Sequence, residues 1–288
     1  MIVISAASGQ LGHALAEEFS ALGKAGQVRL TARSRAAIEA WSDQGFAIGH
    51  ADYDAPATMV EGFAGADTLI LISSSDPVNE TRIRQHKAAI DAAKAAGVSR
   101  IIYTSFANPD PFSRFLWAAP HVATEAYLAA SGIEAIFLRD APYAANLALV
   151  LGPALQSGVL ATHGLDATIA YVTHGDVAAA AAAAALDQAG AKGTYLLTGS
   201  RALSVREIAA EVGRLTGRDF QLVELTASAM GDGLRQLGLP AIIADALVSL
   251  NEAAVAGEYA TVSGDVVRLA GHPAACGLDF VRGWISER

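Results

Sequence analysis

The chain begins with Met1-Ile2-Val3-Ile4-Ser5-Ala6-Ala7-Ser8-Gly9-Gln10-Leu11-Gly12-His13, and this stretch decides the fold. Its aliphatic run predicts a strand, its small residues predict a tight turn, and a helical pattern follows the turn. A strand, a glycine-rich turn and a helix in this order are typical of the first βα unit of a dinucleotide-binding sheet. Gly9 would let the backbone approach a pyrophosphate at the helix N-terminus, and Gly12 would let the helix pack closely on the strand. The predicted cofactor-binding residues of this turn are Ala6, Ala7, Ser8, Gly9, Gln10, Leu11 and Gly12.

Short aliphatic runs alternate with helical patterns as far as Arg139, which predicts an α/β fold with a Rossmann-type, doubly wound parallel sheet. The predicted strands lie near 2–5, 27–32, 46–49, 67–73, 99–104 and 133–138, and the predicted helices near 10–22, 35–43, 56–63, 80–96 and 120–131. We therefore expect a dinucleotide-binding domain over residues 1–139.

Glycines and prolines interrupt the pattern over 140–175, which is typical of a pocket wall. The alanine run 178–185 predicts a buried helix, with Asp176 as its N-cap. A strand at 195–198, a helix over 205–215 capped by Ser204 and a strand at 221–225 are predicted to follow. We expect residues 140–288 to form the substrate cleft and a smaller, discontinuous α/β lobe, with no clean linker before it.

Composition limits the classes of protein that this chain can be. Hydrophobic residues make up 52% of its 288 residues and charged residues 17%, which favours a well-buried core over disorder. The net charge of -9 argues against a nucleic-acid partner, since phosphate binding needs a basic surface. Cys276 is the single cysteine, and no segment has the roughly 18 apolar residues of a membrane span. We expect a cytoplasmic monomer or homodimer without a metal site.

Three further predicted strands end in residues that suit a nucleotide. Arg33 follows the second strand, where an NAD-preferring protein would carry an acid, and a guanidinium there favours the 2′-phosphate of NADPH. Asp52 follows the third strand and could accept a hydrogen bond from the adenine amine. Ser73, Ser74 and Ser75 follow the fourth strand, where small polar residues let a cofactor pass close to the backbone.

The usual catalytic pair of short-chain dehydrogenases is missing. In that pair, written Tyr-x-x-x-Lys, the tyrosine donates a proton and the lysine lowers its pKa. None of the chain's seven tyrosines has a lysine four positions later. A dinucleotide site is thus predicted without the standard alcohol-dehydrogenase mechanism.

Motifs along the whole chain resemble the NmrA-like atypical short-chain dehydrogenases, and within them the bacterial NADPH:quinone oxidoreductases, with triphenylmethane reductases as near relatives. The motifs are Ala7-Ser8-Gly9-Gln10-Leu11-Gly12-His13, Ala51-Asp52-Tyr53, Leu71-Ile72-Ser73-Ser74-Ser75, Ala92-Ala93-Lys94-Ala95-Ala96-Gly97-Val98, Tyr103-Thr104-Ser105, His121, Thr124-Glu125, Ser131-Gly132-Ile133, Leu138-Arg139, Tyr143, Asn146 and Gly271-His272-Pro273. The resemblance implies NADPH as cofactor and a substrate cleft between two lobes. It adds Thr104, Ser105, Asp140, Ala141, Pro142 and Tyr143 to the expected cofactor site.

Two positions depart from the family pattern. Ala6 stands where the first glycine of the turn is usual, which requires either a negative φ or backbone strain. Asp140-Ala141-Pro142 stands where the family commonly carries an Asn-Gly-Trp-like sequence, so the identity of the substrate is open.

Three functional hypotheses follow. The first is hydride transfer from NADPH to a quinone or similar flat acceptor, whose reduced form leaves as a stabilised phenolate and needs little help from an acid. The second is a non-catalytic NADP(H)-sensing regulator, and the third a reductase of another aromatic substrate: an aromatic ketone, a cationic dye or a benzylic ether. Phe106, Phe112, Phe115 and Trp117 would suit any flat ligand. His121, Tyr143 and Asn146 are the predicted catalytic residues, with His121 foremost as a proton donor or orienting group.

Overall fold

The computed structural model describes residues 1–186 and 190–288, and strands and helices alternate as far as residue 140. The strands are β1 (Ile2–Ile4), β2 (Val28–Ala32), β3 (Ala47–His50), β4 (Thr68–Leu71), β5 (Arg100–Phe106), β6 (Glu134–Asp140), β7 (Val159–Thr162), β8 (Thr168–Ile169), β9 (Gly193–Leu197), β10 (Leu203–Ser204) and β11 (Gln221–Glu224). The α-helices are α1 (Gln10–Ala21), α2 (Pro56–Phe63), α3 (Asn79–Ala95), α4 (Ala118–Ala130), α5 (Leu147–Ser157), α6 (His174–Ala185), α7 (Val205–Thr216), α8 (Ala227–Gln236), α9 (Ala241–Val255), α10 (Asp265–Ala270) and α11 (Gly277–Ser286).

The main sheet is parallel and has the strand order β3-β2-β1-β4-β5-β6-β9. The order reverses between β1 and β4, which opens a crevice at the carboxyl ends of these strands. The Rossmann-type prediction is confirmed, and all six predicted strands lie within two residues of the observed ones. The predicted strand at 195–198 was wrongly placed in the second lobe: it is β9, and it pairs with β6 as the seventh strand of this sheet.

Helices cover both faces of the main sheet. The helices α1, α6 and α10 pack on one face, and α2, α3 and α4 on the other. The alanine run is the buried helix α6, whose small side chains allow close packing against α1. Its N-cap is Thr173 rather than Asp176: the Thr173 hydroxyl accepts from the Asp176 N–H, which places Asp176 three residues inside the helix.

The predicted helix over 35–43 is wrong. Two short 3-10 segments, Arg35–Ala37 and Glu39–Gln44, take its place. Ile38 is the one residue buried in this fully described stretch, so no apolar face is present to hold a longer helix against the sheet.

A second core lies beyond the carboxyl end of the sheet. It joins α5, α7, α9 and α11 with the small pairs β7–β11 and β8–β10. The helix α7 begins at the predicted cap Ser204, which forms a capping box with Glu207. Within 140–288 the chain thus builds this lobe and also returns α6, β9 and α10 to the first core.

Among the described residues, no helix has the length and hydropathy needed to cross a membrane.

Candidate active site

A long cleft of about 770 Å³ runs along the carboxyl ends of β1 to β4. Eleven of the predicted cofactor-binding residues line it: Ala6, Ser8, Gly9, Gln10, Leu11, Gly12, Arg33, Asp52, Ser73, Ser74 and Ser75. Residues from four strand ends therefore meet at one surface, as the topological switch point requires. We call this surface the nucleotide cleft.

The turn between β1 and α1 is built tightly around two small residues. A Cβ at Gly12 would stand 2.5 Å from backbone atoms of Ala7, so only glycine lets α1 pack there. Ala6 has φ +49, in the left-handed region. Of the two alternatives expected for this alanine, a negative φ or a strained backbone, the strained backbone is observed. The N-cap Gly9 offers no side chain to the first turn of α1, which leaves its N–H groups for an anion in the cleft.

The far end of the nucleotide cleft is polar. Arg33 is exposed at the end of β2 and lines the cleft beside Ser34, whereas Arg35 does not line it. Asp52 also lines the cleft, and its Oδ1 accepts from the Asp54 N–H. An exposed guanidinium, a helix N-terminus without a side-chain cap and a glycine-rich turn together fit a phosphorylated dinucleotide.

A second cavity of about 330 Å³ opens from the nucleotide cleft, and we call it the acceptor pocket. The two share Ser73, Ser74, Ser75 and Asn146. The pocket is bounded by Arg82, Ser105, Phe106, Phe115, Trp117, His121, Asp140, Pro142, Tyr143, Ala246, Leu247 and Leu250. All three predicted catalytic residues lie here. Phe112 does not: it is 92% exposed, so its predicted place in the cleft wall is wrong.

Four connected buried side chains lie at the acceptor pocket, and one of them, His86, fixes the serine loop, residues 73–75, that follows β4. The Ser74 N–H donates to Nε2 of His86 at 2.8 Å, which puts the imidazole proton of His86 on Nδ1, facing Thr124 at 2.8 Å. The Tyr103 hydroxyl lies 2.9 Å from Nδ1 of His121. Burial, aided by Arg82, lowers the pKa of His86 to about 3 and that of His121 well below its usual range. Both imidazoles are therefore neutral at pH 7.

Arg82 is a buried cation in the wall of the acceptor pocket. It is 7% exposed, its guanidinium lies 5.6 Å from the centroid of the Trp117 ring, and one terminal nitrogen is 3.5 Å from Nε2 of His121. Its Nε has no hydrogen-bond partner among the described residues. Burial lowers its pKa, but an arginine stays charged. The pocket therefore holds a positive charge that a ligand's negative oxygen could meet.

Asp140 and Tyr143 form the opposite polar element of the acceptor pocket. The Tyr143 hydroxyl donates to Oδ2 of Asp140 at 2.7 Å, and the Tyr143 ring stacks on His174 with centroids 4.1 Å apart. Asp140 is 1% exposed, and its Oδ1 is buried without a partner among the described residues. Burial raises the pKa of Asp140 to about 8, so the side chain is a neutral carboxylic acid at pH 7.

Three predicted cofactor residues lie behind these surfaces. Ala7 is fully buried under the turn. Thr104 supports the serine loop, because its hydroxyl accepts from the Ser73 N–H at 3.0 Å. Ala141 lines a separate cavity of about 360 Å³ next to Arg139. Ser105, in contrast, reaches the acceptor pocket, and its hydroxyl donates to Glu125, the ion-pair partner of Arg139.

Sequence reasoning missed Arg82, Gln85, His86 and His174. The first three belong to the buried face of α3, with the small apolar residues Ala89 and Ala93 further along it. Polar side chains at helical spacing on an apolar face were a signal that could have found them. His174, which lines the nucleotide cleft, gave no comparable signal.

Comparison with known proteins was made on this geometry. The model of the NmrA-like family matches residues 1–267. Quinone oxidoreductase 2 of Escherichia coli (strain K12) is 36% identical over 274 residues, which cover 95% of this chain and 94% of that protein. The crystal structure of the NADPH-dependent quinone oxidoreductase of Escherichia coli complexed with NADPH has a TM-score of 0.93 at 34% identity, covering 99% of this chain and 100% of that one. Citrobacter sp. triphenylmethane reductase complexed with NADP(H) has a TM-score of 0.87 at 28% identity, covering 95% and 96%.

Proposed function

The chain belongs to the NmrA-like family and is an NADPH-dependent oxidoreductase, and we propose that its hydride acceptor is a quinone or a similar flat conjugated molecule. One observation carries this proposal: the nucleotide cleft and the acceptor pocket share Ser73, Ser74, Ser75 and Asn146. A dinucleotide that follows the cleft from α1 reaches the acceptor pocket at this shared wall. NADPH, when bound, supplies a hydride there.

The residues of the nucleotide cleft have separate tasks in holding the cofactor. The uncapped first turn of α1 would meet the pyrophosphate, and Arg33 would meet the 2′-phosphate. The serine loop brings backbone and small hydroxyls close to the ligand. Its position is fixed from below by His86 and Thr104, so the loop is organised before any ligand arrives.

The walls of the acceptor pocket suit a flat ring. Phe106 and Phe115 lie 4.9 Å apart between ring centroids, and Trp117 continues this aromatic wall. A pocket lined by aromatic and aliphatic side chains with few polar groups is typical of small-molecule sites. The shape supports a planar acceptor over an aliphatic alcohol or a sugar.

The charge of the acceptor pocket supports a quinone. Hydride addition to a quinone places negative charge on an oxygen, and Arg82, which lines the pocket, provides a buried cation that would stabilise that charge. No Tyr-x-x-x-Lys pair is present in the sequence, and a quinone is the acceptor that needs it least, since its reduced form is a stabilised phenolate.

The test is steady NADPH oxidation with a panel of benzoquinones and naphthoquinones, together with NADPH binding measured by fluorescence. Leu250, half-buried in the pocket wall, is replaced by Trp to fill the pocket, and the exposed Leu237 of the same lobe is replaced by Trp as the control. We expect Leu250→Trp to raise the quinone KM about tenfold or more, equivalent to at least ~1.4 kcal/mol, with unchanged NADPH affinity. Leu237→Trp should behave as the wild type.

The outcome also separates an enzyme from a regulator. Tight NADP(H) binding without turnover of any acceptor would contradict the proposal and favour a non-catalytic NADP(H) sensor. Turnover that Leu250→Trp leaves unchanged would place the acceptor outside the pocket described here.

A further inference from the structure

The carboxyl group of Asp140 has a geometry that is unusual for an acid in a ligand pocket. Asp140 is the last residue of β6, where the backbone is fixed by pairing with β5 and β9. One of its oxygens, Oδ2, accepts a 2.7 Å hydrogen bond from Tyr143. The other, Oδ1, is buried and has no partner among the described residues, although Asp140 lines the acceptor pocket.

The proton of the neutral acid can be assigned from this geometry. Because Oδ2 already accepts from Tyr143, the acidic hydrogen belongs on Oδ1. An O–H group buried without an acceptor costs free energy, and a ligand oxygen in the pocket would relieve that cost. The arrangement therefore offers one hydrogen-bond donor, on a proton that can leave.

We infer that the Asp140 carboxylic acid, positioned by Tyr143, donates a proton to the oxygen of the reduced acceptor. This inference rests on the proposed function. The hydride adds two electrons and one hydrogen to the acceptor and leaves NADP⁺, so the acceptor becomes an oxyanion. The O–H bond of Asp140 breaks, a new O–H bond forms on the acceptor oxygen, and the carboxylate that remains is reprotonated from solvent before the next turnover.

The other groups around Asp140 are poor proton sources at neutral pH. The titratable and charged groups on the elements packed around it are Arg82 on α3, Tyr103 on β5, His121 and Glu125 on α4, Arg139 on β6, Tyr143 after β6, and His174 and Asp176 on α6. His121 and His174 have lowered pKa values and Tyr143 has one raised well above 10, all chiefly through burial. Glu125 and Arg139 are held in their ion pair. A change in rate near pH 8 would thus report Asp140.

A proton at this position widens the class of acceptors. Quinones leave as stabilised phenolates, but the alkoxide from an aromatic ketone or aldehyde is far more basic and needs an acid. An amide side chain at position 140 could not supply a transferable proton, whereas a carboxylic acid can. The geometry at Asp140 therefore points to reduction of conjugated carbonyl compounds beside quinones.

The experiment compares wild type, Asp140→Asn, Tyr143→Phe and the exposed control Asp43→Asn, with a naphthoquinone and an aromatic ketone as acceptors. We expect kcat/KM of the wild type with the ketone to fall as pH rises through about 8, because the acid ionises. Asp140→Asn keeps the shape and the hydrogen bond from Tyr143. It should lose about a hundredfold with the ketone, tenfold or less with the quinone, and the pH-dependent limb.

Tyr143→Phe gives the positioning test. The Tyr143 hydrogen bond lowers the pKa of Asp140, so its removal should move the alkaline limb to higher pH, an effect that a merely structural role would not produce. Asp43→Asn should match the wild type. If quinones turn over but Asp140→Asn retains the wild-type ketone rate and pH profile, the inference is overturned and the proposed function stands. If no acceptor is turned over, both fall.

Discussion

Nδ1 of His121 lies 2.9 Å from the hydroxyl of Tyr103, and both side chains are buried, with His121 in the wall of the acceptor pocket. The pKa of His121 is held well below its usual range by burial and by the nearby Arg82. A neutral imidazole that already engages Tyr103 can hold a neighbour or accept a hydrogen bond. It has no extra proton to give at pH 7, which argues against the donor role predicted for it from its position in the sequence.

Replacement of His121 tests this reading. We expect His121→Ala to lower quinone turnover roughly tenfold or less, below the 10²–10⁴ that is typical for loss of a general acid. The measurement is kcat with a naphthoquinone, with NADPH affinity and thermal unfolding followed in parallel, because the buried side chain leaves a cavity. A loss beyond a thousandfold with intact NADPH affinity would restore His121 as the acid.

The buried charge of Arg82 should increase kcat with quinones. A charge-assisted hydrogen bond is worth about 1.5 to 3 kcal/mol, so Arg82→Met should lower kcat for quinones by roughly ten- to a hundredfold. Arg84 on the same helix is exposed and pairs with Asp54, which makes Arg84→Gln the matched control. Because burial of an ion costs free energy, Arg82→Met should also keep or raise the melting temperature. Equal rates in the two variants would rule out an electrostatic role for Arg82.

The choice of cofactor should depend on Arg33. It is exposed at the end of β2 and lines the nucleotide cleft, where a 2′-phosphate would lie. We expect Arg33→Ala to weaken NADPH binding by roughly one to two powers of ten and to leave NADH binding nearly unchanged. Titration of both cofactors by fluorescence measures this. Equal losses for NADPH and NADH would show that Arg33 does not read the phosphate.

The first half of the site could be predicted because it depends on local order along the chain. The residues after β1, β2 and β4 end up at one crevice in any parallel sheet of this type, so Gly9, Arg33 and Ser73 were found without coordinates. The acceptor pocket depends on packing between distant segments. Leu250 of α9 meets Arg82 of α3 there, and no spacing in the sequence relates them.

The prediction for β9 failed for a related reason. The aliphatic pattern predicted a strand at 195–198, within two residues of β9. A sequence pattern does not show which strand will pair with it. The chain leaves the main sheet after β6, builds part of the second lobe, and returns through α6 to pair β9 with β6. The surroundings of the Asp140 carboxyl group could not be predicted either, since the sequence places the residue at a strand end but does not show that Oδ1 lacks a partner among the described residues.

Ala6 offers a test of backbone strain. With φ +49 it adopts a conformation that costs an L-residue roughly 1 to 2 kcal/mol and costs glycine almost nothing. Glycine also adds about 0.4 to 1 kcal/mol of unfolded-chain entropy, so Ala6→Gly should raise the free energy of unfolding by up to about 1.5 kcal/mol. Urea denaturation of the apo protein measures it. With a negative φ there would be no strain to relieve, so a slight loss of stability in Ala6→Gly would show that the turn is unstrained in solution.

The protonation of Asp140 has a consequence for stability that needs no substrate. Its pKa is about 8 in the folded protein and near 3.8 when exposed, so between these values the folded chain holds a proton that the unfolded chain has released. Stability from this group is fully present below the unfolded value and is lost as pH rises through the folded one.

The slope of this loss is at most about 1.4 kcal/mol per pH unit. Asp140→Asn removes the titration, so the stability of the variant relative to wild type should increase steadily between about pH 5 and pH 8 and level off above pH 8. Urea unfolding of both apo proteins at several pH values, with Asp43→Asn as the control for a surface carboxylate, measures the difference. If the free energies of unfolding of wild type and Asp140→Asn change in parallel with pH, Asp140 is already ionised in the folded protein. A carboxylate in that state has no proton to donate at neutral pH.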